Sequence, residues 1–159
     1  MRQRGAGYSY RLDLEVGTMR VEAYLRVIGD EVTIRAISDV AQVPGATSRR
    51  LKARDDPPAR DMLWCWATPR VTLDLDNIDE GLRVLLHAHK PAFPAIRKHC
   101  GPKSDIYLQM ATYYEPNEEY RGLYLSAETI SLLSELGAAL DNDIAQVLDD
   151  RSASPMPTN

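Results

Sequence analysis

At 159 residues, with 44% hydrophobic and 26% charged side chains, the chain is long enough to bury one core and too short for a second ordinary domain. A formal charge of −4 sets its field against nucleic acid and anionic membranes, and no apolar run approaches the roughly 20 residues of a membrane helix. The opening MRQRGAGYSY lacks the apolar middle of a signal peptide, and Cys65 and Cys100 fit free thiols in a reducing cytoplasm better than a disulfide framework.

Residues 1–7 read as a flexible arm, and residues 8–150 as a single α+β domain. Tyr8, Tyr10, Leu12, Leu14 and Val16 alternate with polar residues, a half-buried strand that Gly17-Thr18 can fold against Met19 to Ile28. In that second strand Val21, Ala23, Leu25 and Val27 share one face, with Glu22, Tyr24 and Arg26 on the other. Gly29 is expected to free the backbone there, and Asp30 to cap a helix in which Val32, Ile37, Val40 and Ala41, with Ile34 alongside, are apolar.

Val43-Pro44-Gly45 stops that helix, and SRRLKAR at Ser48 to Arg54 is a short basic strand or loop. DDPPAR is a turn; Met62 to Ala67 is a strand with bulk on both faces, and Val71, Leu73 and Leu75 form a brief extended run. Asp76 or Asn77 is expected to cap a second helix. Ile78, Leu82, Leu85, Leu86, His89, Phe93 and Ile96 trace its apolar face, and Pro91 and Pro94 kink or divide it. Ile106 to Tyr114 and Tyr120 to Leu125 read as a hairpin that pairs Tyr113 with Tyr120, Gln109 with Tyr124 and Met110 with Leu123. That register gathers Tyr107, Tyr113, Tyr120 and Tyr124 on one face. Ser126 caps a third helix carrying Ile130, Leu133 and Leu136, which Gly137 ends. Asp143 to Leu148 is a last strand or a helical continuation, and residues 151–159 have the composition of a disordered tail.

The resulting fold class is α+β: an antiparallel sheet with two or three helices packed on it. It has a ferredoxin-like β-α-β-β-α-β core, an extra N-terminal strand and a C-terminal hairpin-helix extension.

None of the common nucleotide, zinc-protease or hydrolase signatures occurs, so no catalytic residue is assigned. His87 and His89 diverge on a helix, and with His99, Cys65 and Cys100 they match no closed zinc pattern, so no metal or other cofactor is expected. His89 is expected at the core edge and His87 in solvent. The candidate contact residues are Tyr107, Tyr113, Tyr120 and Tyr124, because tyrosine joins a large apolar body to a polar tip, together with Arg49 and Arg50 of the basic stretch.

Several segments carry a resemblance: the strand ending in Ile28-Gly29, the capped helix Val32 to Ala41, the Val43-Pro44 break with Thr47 following, the strand Trp64 to Trp66, and LSAETISLLSELGAALDNDI. Over Val21 to Val147 the chain resembles the bacterial domain-of-unknown-function family number 4279. Ala145 stands where that family leads one to expect Tyr, and the strand from Tyr8 looks like an addition. The resemblance implies no activity and no catalytic residue.

The sequence therefore points to a small bacterial cytosolic protein-interaction domain with a protein partner, of an immunity- or antitoxin-like kind, and leaves a homo-oligomer open. The alternative is a small-molecule binder or enzyme with a cleft near Trp64, Trp66, His87 and His99. Nucleic-acid binding through SRRLKAR is the third reading, which the acidic charge disfavours.

Overall fold

The computed structural model describes residues 19–51, 63–102, 104–114 and 122–146. The expected arm, the strand from Tyr8, the DDPPAR turn, the residues 115–119 between the expected hairpin strands, Tyr120 and the 151–159 tail lie outside these residues.

The organising strand is β1 (Arg20–Gly29), where Val21, Ala23, Leu25 and Val27 are buried in strict alternation. Gly29 sits at its buried end, in extended backbone. Its glycine is explained by proximity, since a Cβ there would lie 3.1 Å from Ser104 Oγ, and not by the backbone freedom expected from the sequence. Asp30 then caps α1 (Glu31–Ala41), its Oδ1 accepting the Thr33 N–H at 2.7 Å. Ile34 and Ile37 carry the buried stripe of α1, whereas Val32 and Val40, expected on it, face solvent.

Next come β2 (Thr47–Arg50), β3 (Trp64–Ala67) and β4 (Val71–Leu73). β3 lies between β2 and β1, antiparallel to both, and β4 pairs with the first half of β1. Between β3 and β4 the three residues Thr68, Pro69 and Arg70 face only Tyr24 and Leu25, which makes a one-residue bulge. Proline has no N–H to give the ladder, so it fits such a break. The Thr68 hydroxyl repairs the gap: its Oγ1 accepts the buried Leu25 N–H at 3.1 Å while the Thr68 N–H donates to Leu25 O. Thr68→Val keeps the shape and removes the acceptor, so it is expected to lower stability by about 1–2 kcal/mol in urea unfolding, the penalty of one orphaned buried donor.

Asp74, not Asp76 or Asn77, does the capping ahead of α2 (Ile78–His89). It accepts the Asp76 N–H at the start of a 3-10 turn, and Asn77 makes no side-chain cap bond. A second 3-10 turn at Lys90–Ala92 separates α2 from α3 (Phe93–His99), with Pro91 and Pro94 each at the start of a new turn, where a missing N–H costs nothing. Leu82, Leu85, Leu86, Phe93 and Ile96 form the buried face, as their spacing predicts.

β5 (Asp105–Tyr114) runs antiparallel along β1 from Arg20↔Tyr113 to Ile28↔Asp105. α4 (Ala127–Leu136) follows, capped by Ser126 and closed by Gly137 at φ 75°. It buries Thr129, Leu132, Leu133 and Leu136, and leaves Ile130, expected in the core, 54% exposed. β6 (Ala139–Gln146) then pairs with β5.

The sheet order is β2-β3-β1-β5-β6, so the crossover from β1 through α1 to β2 spans β3. The α+β class is that expected, with two corrections. The sheet is mixed, because β6 runs parallel to β5. The hairpin extension is not formed by Gly122 to Ser126, which lie in no strand; Leu123 and Leu125 instead pack at the edge of the core. The physical reason is occupancy: β1 takes one edge of β5 and β6 the other, so Gln109 faces Tyr24 and Asp141 in place of Tyr124. The core itself lies between the helices and the face of the sheet that carries Val21, Leu25, Trp66, Leu108 and Met110.

Candidate functional site: the tyrosine and arginine face of the sheet

Strand alternation turns every second residue away from that core. On β1 these are Arg20, Glu22, Tyr24 and Arg26, and the register sets them opposite Tyr113, Ala111, Gln109 and Tyr107 of β5. The bulge adds Arg70 from the other side. Three guanidinium groups consequently lie over three rings: Arg20 on Tyr113 at 5.0 Å, Arg26 on Tyr107 at 5.2 Å and Arg70 on Tyr24 at 4.9 Å. Glu22 receives both Arg20 and Arg70 at 3.3 Å, and Arg26 lies 3.6 Å from Asp141 of β6.

At the centre of this face Gln109 is almost wholly buried, which is unusual for an amide on the polar side of a sheet. Its Nε2 donates to the carbonyls of Met110 and Asp141 and to Asp143 Oδ2. Its Oε1 is buried and has no hydrogen-bond partner, as are Arg20 Nε and Arg26 Nε. Unpaired buried polar atoms are rare in folded proteins and concentrate where a protein does something besides fold.

Of the contact residues predicted from sequence, Tyr107 and Tyr113 lie on this face together. Arg49 joins it at the far edge, since it pairs with Cys65, which pairs with Ile28 of the same face. Arg50 points to the opposite, helix-bearing side, as its neighbour pattern through Trp64 requires. Tyr124 lies outside any strand and is 78% exposed, so it is not part of the group, and Tyr120 lies outside the described residues. Arg20, Glu22, Tyr24, Arg26 and Gln109 were missed. The alternation that places Glu22, Tyr24 and Arg26 together is legible in the sequence, but their meeting with Tyr107 and Tyr113 depends on β1 lying beside β5.

The thiols are poor nucleophiles. Burial pushes Cys65 up although Arg26 and Arg49 pull it down, and burial alone pushes Cys100 up to about 11. Both are free. Trp66 is buried in the core, and Trp64 lies partly buried at the core margin with Arg35 over its ring at 6.0 Å. His87 is solvated and 3.2 Å from Glu128, His89 sits at the core edge with its pKa lowered by burial, and His99 ends α3. A groove of about 640 Å³ does open beside α2, between Pro44, Pro69, Val71, Leu73, Val84 and His89, but Trp64, Trp66, His87 and His99 do not line it. Among the described residues no three His, Cys, Asp or Glu side chains gather to hold a metal. No helix among them is long and apolar enough to cross a membrane.

The fold and this face define a small α+β protein with a mixed sheet, helices on one side and an arginine–tyrosine ladder on the other. The sequence profile of a domain of unknown function, DUF4279, matches residues 18–147, and the chain belongs to that family. No curated protein matches it.

Proposed function

We propose that the protein is a non-catalytic interaction domain that recognises a protein partner through the arginine–tyrosine face, in an immunity- or antitoxin-like pairing. The observation that carries this reading is the ladder itself: two Arg–Tyr stacks set by the β1–β5 register and a third that Arg70 makes on Tyr24 from the bulge before β4. Arginine and tyrosine are the residue types that dominate binding energy at protein interfaces, because each pairs a wide flat contact surface with hydrogen-bonding groups at little entropic cost. Raised thiol pKa values at Cys65 and Cys100 support a binding role over a nucleophilic one.

Affinity capture from the native host with the wild-type chain and with a Tyr107→Ala, Arg26→Ala double variant tests it. The wild type should retain a defined protein whose affinity falls about 30-fold or more in the double variant, the scale of losing an interface hot spot. Recovery of nothing above background, or of the same protein equally by both, overturns the reading. Circular dichroism of the double variant separates lost contact from lost fold.

A further inference from the structure

The groove beside α2 lies away from the arginine–tyrosine face and has its own chemistry. Its walls are β4 and α2, and along α2 it runs from Glu80 to His89, about 14 Å at the helical rise. Gly81 lets the two walls approach, since a Cβ there would lie 2.9 Å from Leu73 Cδ2. Val84 is 64% exposed and Val71 37%, so much of the apolar wall is wet. A concave volume of about 640 Å³ with mostly apolar lining is the size that holds a small molecule.

The charges on the lining have one sign. Asp74 and Glu80 both line the groove, Asp74 just ahead of α2 and Glu80 in its first turn, and no lysine or arginine lines it. Asp74 is engaged by the Asp76 N–H and the Asn77 amide, whereas Glu80 makes no ion pair among the described residues. The nearest candidate cation along the helix, Arg83, is taken up by Asp79 and Glu128. The partial positive charge of the α2 N-terminus, roughly half a unit, is outweighed by two carboxylates.

We propose that this groove binds a small amphiphilic amine, with its apolar body on Val71, Leu73, Val84 and Leu85 and its ammonium group on Glu80. The burial-lowered pKa of His89 at the far end adds no competing positive charge near neutrality.

The test uses two fluorescent probes with the same body, dansylcadaverine with its primary amine and neutral N-pentyl dansylamide, titrated into the full-length protein. Dansylcadaverine is expected to bind saturably, with blue-shifted emission, about tenfold tighter than the neutral probe, the contribution of one charge-assisted contact. Val84→Lys should abolish binding of both probes. Glu80→Gln should lower dansylcadaverine to the level of the neutral probe and leave the latter unchanged. Val84 is exposed, so its variant is expected to fold; if it does not, Ala88→Lys on the same wall replaces it. Equal binding of the two probes, binding indifferent to the wall variants, or no binding overturns the proposal. The Tyr107→Ala, Arg26→Ala variant should bind both probes normally, which separates failure here from failure of the protein-interaction reading.

Discussion

Trp66→Ala is expected to cost about 3–5 kcal/mol of folding stability, while Trp64→Ala, two residues away on the same strand, costs about 1–2 kcal/mol. Both belong to β3, and the strand's register decides their fates. Trp66 pairs with Val27 and is 2% exposed within the central cluster, so truncation leaves a cavity its neighbours cannot close. Trp64 pairs with Gly29 at the strand's end, where it packs against the cluster from outside and Arg35 lies over its ring. Removing it loses partial burial and one cation–π contact. Urea unfolding followed by circular dichroism gives the comparison, with the midpoint falling and the slope held. A Trp64→Ala loss equal to that of Trp66→Ala would mean that β3 is not seated as described. A negligible Trp66→Ala loss would remove the core from where it has been placed.

The same contrast shows what was legible in the sequence. β1 alternates so regularly that its two faces can be read off directly, and the Asp30 and Ser126 caps and the Gly137 stop follow from local chemistry that tertiary context did not override. β6 was harder. Its expected start at Asp143 falls four residues late, because Asp141, Asn142 and Asp143 are poor strand formers and extend here against β5, which supplies a parallel partner from Ala139 onward. The overlap with the expected last strand covers only 143–146, and its parallel pairing with β5 is not local; without that pairing the edge of β5 invites a hairpin, which puts Tyr124 on a face it does not share. For the candidate site, membership of Tyr107 and Tyr113 in one face is a property of a single strand and was visible. The stacks with Arg20 and Arg26 are a property of a pairing between residues more than eighty positions apart, and only the β1–β5 register sets them. The groove beside α2 was invisible for the same reason, since its walls come together through the bulge at Pro69 and the close approach at Gly81.

Asp79 is the clearest case of a local reading that tertiary structure enlarged, and it carries the second large effect. Sequence reasoning places it in the first turn of α2, where a carboxylate favours the helix dipole. Its main work is elsewhere: Oδ1 accepts the Ser126 N–H at 2.9 Å and the Thr129 hydroxyl at 2.7 Å, tying α2 to the start of α4. In a capping box the residue three after the cap returns a side chain to the cap's own N–H; here that residue is Thr129, and Asp79 from another helix does it instead. Burial by itself would raise this carboxyl, but the Ser126 and Thr129 hydrogen bonds and Arg83 outweigh it and hold the pKa below the ordinary aspartate value.

Asp79→Ala is therefore expected to cost about 2 kcal/mol at pH 7, a figure for two charge-assisted hydrogen bonds discounted for a partly solvated site. Because the folded-state pKa is the lower one, this contribution is full above the unfolded value near 3.9 and disappears as pH falls through the folded value. The difference between wild type and variant should hold steady from pH 7 to about pH 4.5 and shrink below that. His89 shifts stability at higher pH, because burial favours its neutral form and stability falls as pH drops below about 6.5; it does so equally in both proteins and cancels in the difference. Glu128, held down by its hydrogen bonds to Arg83 and His87, acts in the same acidic direction as Asp79, so Glu128→Gln is the control. A gap between wild type and Asp79→Ala that narrows already at pH 6, or persists undiminished at pH 2, would show that the carboxylate is not what joins the two helices.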